Sequence, residues 1–143
     1  MKITRRSLRH LIVESINNNT SETIQINIDD FPLNVELANT ELLRQKGLMH
    51  RFHLRQDDGM LFIHDTPDMC GYYMKNTHVP LSIAYADEDG FIFQIENMNP
   101  GDLNSVMSIQ PALYALEMNQ GWFDKNKIGL GSKIDLYDGN NTD

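Results

Sequence analysis

The chain has little of three things that common protein classes need: cysteine, basic residues and long apolar runs. Cys70 is the only cysteine among 143 residues, which excludes an intrachain disulfide framework and a zinc site made of cysteines alone. The 12 lysines and arginines are outnumbered by 20 acidic residues, giving a net charge of −8, which argues against a general nucleic-acid-binding surface. No stretch approaches the ~18 apolar residues of a membrane-spanning helix.

What the chain does have is material for one ordinary domain. With 41% hydrophobic residues in 143, it can bury a core without help from a disulfide or a metal. The histidines at 50, 53 and 78 fall in predicted loops, where a solvated histidine is the usual case, and His64 ends an apolar strand. We therefore expect no metal site and no cofactor.

The N-terminal segment differs in character from the rest. Four of the 12 cations lie in the first ten residues, and residues 4–16 carry an apolar stripe at helical spacing, which predicts a short amphipathic helix. A polar linker follows, so residues 1–21 are expected to lie outside the domain proper. The apolar run at 11–13 is shorter than the ~7 residues of a secretory signal core. We therefore expect a cytoplasmic location, or the host cytoplasm if the protein is viral.

From residue 22 the apolar period changes from 3.6 to 2, which is typical of strands. Short helices are predicted after Thr40 and Gly121. Together these patterns predict a mostly β domain over residues 22–138, a small antiparallel sandwich or partial barrel with two short helices, followed by a polar tail at 139–143. The strands are predicted at 23–28, 33–37, 59–64, 72–76, 81–85, 91–95, 111–118 and 133–137.

Several short motifs, in this order, resemble the domain of unknown function 192 family, also called uncharacterised protein family 0127. The motifs are Gly47-Leu48-Met49-x-Arg51, Gly59-Met60-Leu61-Phe62, Met74-Lys75-Asn76-Thr77-x-x-Pro80-Leu81, and Ala115-Leu116-Glu117 with Gly121, Ile128 and Gly131. The resemblance covers residues 22–138. It implies a mostly β fold and a small, often secreted bacterial or archaeal module, and it implies no established activity.

The chain departs from that family pattern at several points. The usual aromatic residue before Met74, often tryptophan, is Tyr73 here, and Ser132 replaces an aspartate before the last strand. Ser82 stands where an aspartate commonly follows Pro-Leu, which casts doubt on any role of that carboxylate. In place of a signal peptide, the first residues resemble a leader found on marine phage proteins. This second resemblance implies an alternative function: a phage- or virion-associated interaction protein, tethered to a protein partner through helix 4–16.

One acidic residue stands within an apolar strand and needs an explanation. Glu117 is expected to share a strand face with apolar neighbours, and a buried unpaired carboxylate is too costly to stay charged. Arg51 and Lys75 also lie among apolar neighbours and are the expected cations. One interpretation is a structural salt bridge that pins the loop 47–58 to the sheet. Another is a pocket formed by Arg51, Lys75, Asn76 and Glu117.

The pocket interpretation gives the leading function, a non-catalytic module that binds a small polar or anionic ligand or a protein partner. An arginine fork and a lysine charge suit carboxylates and phosphates, while an asparagine both donates and accepts hydrogen bonds. The enzymatic alternative is a hydrolase-like protein with Glu117 as general acid or base. No nucleophile beside a base supports it, so we expect no catalytic residue. No nucleic-acid partner is expected.

Overall fold

The computed structural model describes residues 21–137, which fold into nine strands and two short helices. The strands are β1 (Glu22–Ile28), β2 (Phe31–Ala38), β3 (Gly59–Asp68), β4 (Gly71–Tyr72), β5 (Leu81–Ala86), β6 (Ile92–Met98), β7 (Val106–Met107), β8 (Ala112–Asn119) and β9 (Ile134–Leu136); the helices are α1 (Glu41–Lys46) and α2 (Trp122–Lys125). The mostly β prediction is confirmed. The helix predicted at 4–16 and the tail at 139–143 lie outside the described residues.

Seven strands form one curled sheet in the order β6-β5-β8-β3-β2-β1-β9. Its two ends approach each other where Phe91 and Lys133 form an isolated bridge, and the Ile134 amide donates to the Gly90 carbonyl at 2.8 Å. The sheet is therefore a partial barrel. It is antiparallel except between β2 and β3, which run parallel, because α1 and the loop after it carry the chain across before β3 begins.

Both faces of the sheet are covered by apolar side chains, in two separate clusters. Alternation along β3 sends Leu61 and Ile63 into the first cluster, with Trp122 of α2, and sends Met60 and Phe62 into the second. The second cluster lies under α1 and the segment around Cys70. Because residues 59–63 of β3 are buried on both faces, their sequence is a continuous apolar run.

Local sequence signals fix α1 closely. The Thr40 side chain accepts a hydrogen bond from the Leu43 amide, Glu41 lies in the first turn, and Gly47 ends the helix with a positive φ of 48°. Leu43 is the buried residue of this helix. The helix predicted after Thr40 is confirmed, and it forms one wall of the cavity described below.

The strand predicted at 72–76 is wrong. Pairing ends after Gly71–Tyr72, which bonds to β7, a strand that the sequence pattern did not indicate. The chain then turns through Asn76, whose φ is 54°. The sequence pattern after Gly121 predicts a helix over about residues 122–128, whereas α2 ends at Lys125.

Candidate functional site

A cavity of about 360 Å³ opens over the second face of the sheet. It lies between α1 and residues 69–73, with Glu117 of β8 and His64 of β3 also among the residues that line it. Leu48, Cys70, Thr77 and Glu117 are its buried lining residues, whereas most of the α1 lining is exposed. The cavity thus has a closed end at the sheet and a mouth at the helix.

Glu117 lies at the closed end. Its register partners are Met60 on β3 and Ile83 on β5, both fully buried, and its own exposure is 4%. Within residues 21–137 its carboxyl has no hydrogen-bond or ion-pair partner. Burial raises the pKa of Glu117 to about 8, because the charged form is costly in an apolar setting. At neutral pH this side chain is mainly a neutral carboxylic acid.

A hydrogen-bonded pair of rings forms one side of the cavity. The Tyr72 hydroxyl and His64 Nε2 are 2.7 Å apart. Burial lowers the pKa of His64, and the nearby Arg44 charge lowers it further. Burial also raises the pKa of Tyr72. At neutral pH both rings are therefore uncharged, and this wall is polar without carrying charge.

Charge is concentrated at the mouth, on α1. Arg44 is half-buried and donates from Nη1 to the Ile63 carbonyl at 2.9 Å, while Lys46 and Glu41 are exposed. This hydrogen bond orients the guanidinium beside the cavity and, as far as residues 21–137 go, leaves its other N–H groups for a further acceptor. The mouth therefore presents two cations and one carboxylate.

Cys70 contributes a buried thiol to the lining. Its Sγ lies 3.1 Å from the Asp68 carbonyl oxygen and 3.7 Å from that of Ala112. Burial raises the pKa of this thiol, so the reactive thiolate is disfavoured. The arrangement does not activate Cys70 as a nucleophile.

Of the four predicted ligand-binding residues, Arg51 lies elsewhere. Its guanidinium makes two hydrogen bonds to the Glu36 carboxylate, one of them from Nη2 to Oε1 at 2.7 Å. Arg51 does hold the loop 47–58 to the sheet, as the salt-bridge interpretation expects, but its partner is not Glu117. Burial alone would raise the pKa of Glu36, yet hydrogen bonds from Arg51 and Ser21 prevail and the net pKa is lowered.

Lys75 and Asn76 do not join Glu117 in the lining of the cavity. Both residues are exposed. Their backbone forms a turn, in which the Asn76 carbonyl accepts from the His50 amide at 2.8 Å. The predicted meeting of four side chains is therefore wrong in its geometry: the cavity includes Glu117 and none of the other three. Ligand binding by those three stays a prediction.

Arg44, His64 and Tyr72 were missed as site residues, although two of them had signals. Once Thr40 is taken as a cap, the helical period places Glu41, Arg44 and Gln45 on one face. Alternation along β3 likewise places His64 on the face of Met60 and Phe62. No local pattern indicates Tyr72, because its position depends on the distant strand β7.

Two other kinds of site are absent from the described part of the chain. Residues 21–137 contain no cluster of three or more His, Cys, Asp or Glu side chains that could hold a metal ion. Across the same residues, no helix has the length and apolar character needed to cross a membrane.

Comparison with known proteins places the chain in a family without giving it an activity. A crystal structure of a Sinorhizobium meliloti protein, described as a candidate transcription regulator, is 31% identical, with a TM-score of 0.74 over 81% of this chain and 93% of that one. A Novosphingobium aromaticivorans protein of unknown function is 30% identical, with a TM-score of 0.72 over 80% and 84%. No curated protein matches. The DUF192 pattern, described as an uncharacterised ACR, matches residues 23–136, and the chain belongs to that family.

Proposed function

We propose that this protein is a non-catalytic module that binds a small polar or anionic ligand in the cavity over Glu117. One observation carries the proposal: a carboxyl group that is 4% exposed and has no partner within the described residues lines that cavity. Buried polar groups in folded proteins are nearly always hydrogen-bonded. A ligand that bonds to Glu117 supplies the missing partner.

The size of the cavity supports a small molecule over a macromolecule. Its volume of about 360 Å³ lies at the lower end of the roughly 300–1,000 Å³ typical of small-molecule sites. Such sites combine an apolar lining with a few polar groups that fix orientation. Here Leu48 and Met49 supply apolar surface, and the polar groups are Glu117, the His64–Tyr72 pair and Arg44.

An enzymatic alternative is favoured by one feature, the raised pKa of Glu117 to about 8. A carboxylic acid that keeps its proton at neutral pH is suited to general acid catalysis. One observation argues against an enzyme. Burial raises the pKa of the Cys70 thiol, so this lining residue is not activated as a nucleophile. A substrate screen separates the two proposals, because a hydrolase loses its turnover in Glu117→Gln whereas a binding module has no turnover to lose.

The regulatory role named for the Sinorhizobium meliloti protein has little support in this chain. Its net charge of −8 opposes the phosphate contacts on which DNA binding depends. The phage- or virion-associated alternative depends on helix 4–16, outside the described residues. Deleting residues 1–21 tests it, since a tethered protein loses its partner while a ligand-binding module keeps its ligand.

A thermal-shift screen tests the proposed function directly. The compounds are sugars, carboxylates, phosphates and divalent metal salts, because a ligand that binds the native state raises its melting temperature. We expect at least one polar or anionic class to raise it in the native chain, and Arg44→Gln to weaken the effect. The matched control is Arg55→Gln, which removes an exposed arginine that does not line the cavity. If no compound raises the melting temperature, the proposal is contradicted.

A further inference from the structure

The two ends of the cavity differ in chemistry, and this difference narrows the class of ligand. Resting on the function proposed above, we propose that the ligand is a small hydroxylated anion, whose uncharged hydroxyl meets Glu117 at the closed end and whose carboxylate or phosphate meets Arg44 and Lys46 at the mouth. Each half of this proposal follows from what the lining residues can donate and accept.

At the closed end, a hydroxyl fits the available groups better than an ammonium. A neutral carboxylic acid donates one hydrogen bond and accepts others, and a hydroxyl does the same, so the two satisfy each other. An ammonium carries three donors and a charge that must be desolvated beside an apolar wall. Two of the neighbouring hydroxyls are already engaged, since Tyr72 bonds to His64 and Tyr85 donates to the Val106 carbonyl at 2.6 Å.

At the mouth, the arrangement suits an anion. Arg44 is fixed by the Ile63 carbonyl, and within residues 21–137 the rest of its fork has no acceptor, which suits the paired oxygens of a carboxylate or phosphate. Lys46 adds a second cation on the same helix. The opposing carboxylate, Glu41, is exposed and accepts a 3.4 Å hydrogen bond from the Gln45 side chain.

Four probes separate the two halves of the proposal by isothermal titration calorimetry. Glycerol 3-phosphate carries both groups, inorganic phosphate carries the anion alone, and glycerol carries hydroxyls alone. In 2-aminoethyl phosphate, which is one carbon shorter, a single ammonium stands in place of the two hydroxyls. We expect glycerol 3-phosphate to bind at least about tenfold more tightly than each of the others, the equivalent of one well-made hydrogen bond. Glycerate in place of glycerol 3-phosphate tells whether the anion site prefers a carboxylate.

The pH dependence of binding provides a second readout. The hydroxyl bonds to protonated Glu117, so the affinity for glycerol 3-phosphate should fall above about pH 8, where this carboxyl ionises. Glu117→Gln keeps a neutral donor and acceptor of the same shape, and should bind with no such fall. The other titratable or charged groups that line the cavity are Glu41, Arg44, Lys46, His64, Cys70, Tyr72 and Tyr73. These groups are the same in the native chain and in Glu117→Gln, so the difference between the two pH profiles of binding reports the ionisation of Glu117 alone.

The outcomes distinguish failure of this inference from failure of the proposed function. Tighter binding of 2-aminoethyl phosphate, equal binding of inorganic phosphate, or a pH profile unchanged in Glu117→Gln overturns the hydroxylated-anion assignment. Stabilisation by another class in the thermal-shift screen, with none by glycerol 3-phosphate or glycerate, also overturns it and leaves the binding function standing. If no compound stabilises or binds the protein in either experiment, both the hydroxylated-anion assignment and the proposed binding function are overturned.

Discussion

Glu36 and Glu117 flank Met60 in one row of the sheet, as its register partners on β2 and β8. With neighbouring strands about 4.8 Å apart, the two carboxyl groups belong to the same face, separated by a single strand. Arg51 bonds to Glu36, and Glu117 has no partner within residues 21–137. Consequently the pKa of Glu36 is lowered, whereas burial raises that of Glu117 to about 8.

The unpaired carboxyl should make the protein less stable as the pH rises. Glu117 has an ordinary pKa of 4.5 when unfolded and about 8 when folded. Between these values the unfolded chain releases a proton that the folded chain keeps, so the free energy of unfolding falls from about pH 4.5 to 8 and is level above. Glu117→Gln should remove that fall and be more stable at pH 8 by roughly 2–4 kcal/mol.

Urea unfolding of both proteins at intervals from pH 4 to 9 measures this difference. Equal slopes in the native chain and Glu117→Gln would contradict a raised pKa. The sign of the stability change in Glu117→Gln also tests the salt-bridge interpretation of the sequence. If Glu117 were paired with a cation, losing the carboxylate would leave that cation without a partner and destabilise the protein at every pH above 4.5.

The Arg51–Glu36 pair should have the opposite pH dependence. Because the folded pKa of Glu36 lies below the unfolded value of 4.5, the stability it provides is fully present above pH 4.5 and is lost as the pH falls through the folded pKa. Arg51→Met should lower the free energy of unfolding at pH 7 by about 1–2 kcal/mol, a modest effect because both side chains are partly exposed. Arg55→Met, on the exposed Arg55–Asp58 pair, is the control and should leave the urea midpoint unchanged.

The parts of the fold that local signals determine could be predicted from sequence. The alternating isoleucines and the Asp29-Asp30 turn are enough to predict the β1–β2 hairpin, and the antiparallel register of the two strands confirms this hairpin. The N-cap residue Thr40 and the C-terminal Gly47 are enough to predict where α1 begins and ends. The segment 72–76 could not be placed, because its pairing depends on β7, more than thirty residues further along the chain.

The site was predicted less well than the fold for a related reason. A charge inside an apolar strand is visible in sequence, so Glu117 was identified. The choice of partner for Arg51 is not visible, because Glu36 and Glu117 lie in one row only after β2, β3 and β8 have paired.

Ser82 is a further case of a contact that could not be predicted from sequence. Its hydroxyl donates to the Asn97 side chain and accepts from the Gly121 amide, both at 3.0 Å, a link that the sequence did not indicate.

The loop 47–58 should be loosened by a change at Asp57. The indole of Trp122, which is 2% exposed, donates from Nε1 to Asp57 Oδ1 at 2.9 Å. Asp57→Ala leaves this buried donor without its acceptor and should lower the free energy of unfolding by about 1–2 kcal/mol. Trp122 is the only tryptophan in the chain, so its emission spectrum reports the change directly. Asp58→Ala is the neighbouring control, and an equal spectral shift in both variants would show that the hydrogen bond is not the cause.

The closure of the barrel should depend on Gly90. This residue has a φ of 90°, and a Cβ there would collide with the Ile134 carbonyl. The two ends of the sheet are joined at the same place, where the Ile134 amide donates a hydrogen bond to the Gly90 carbonyl. Gly90→Ala combines backbone strain with that collision and should cost about 2 kcal/mol or more. Gly101 has a similar φ of 76° but open space around it, so Gly101→Ala measures the strain alone. If both variants lose the same stability in urea unfolding, close approach to Ile134 contributes nothing to closure.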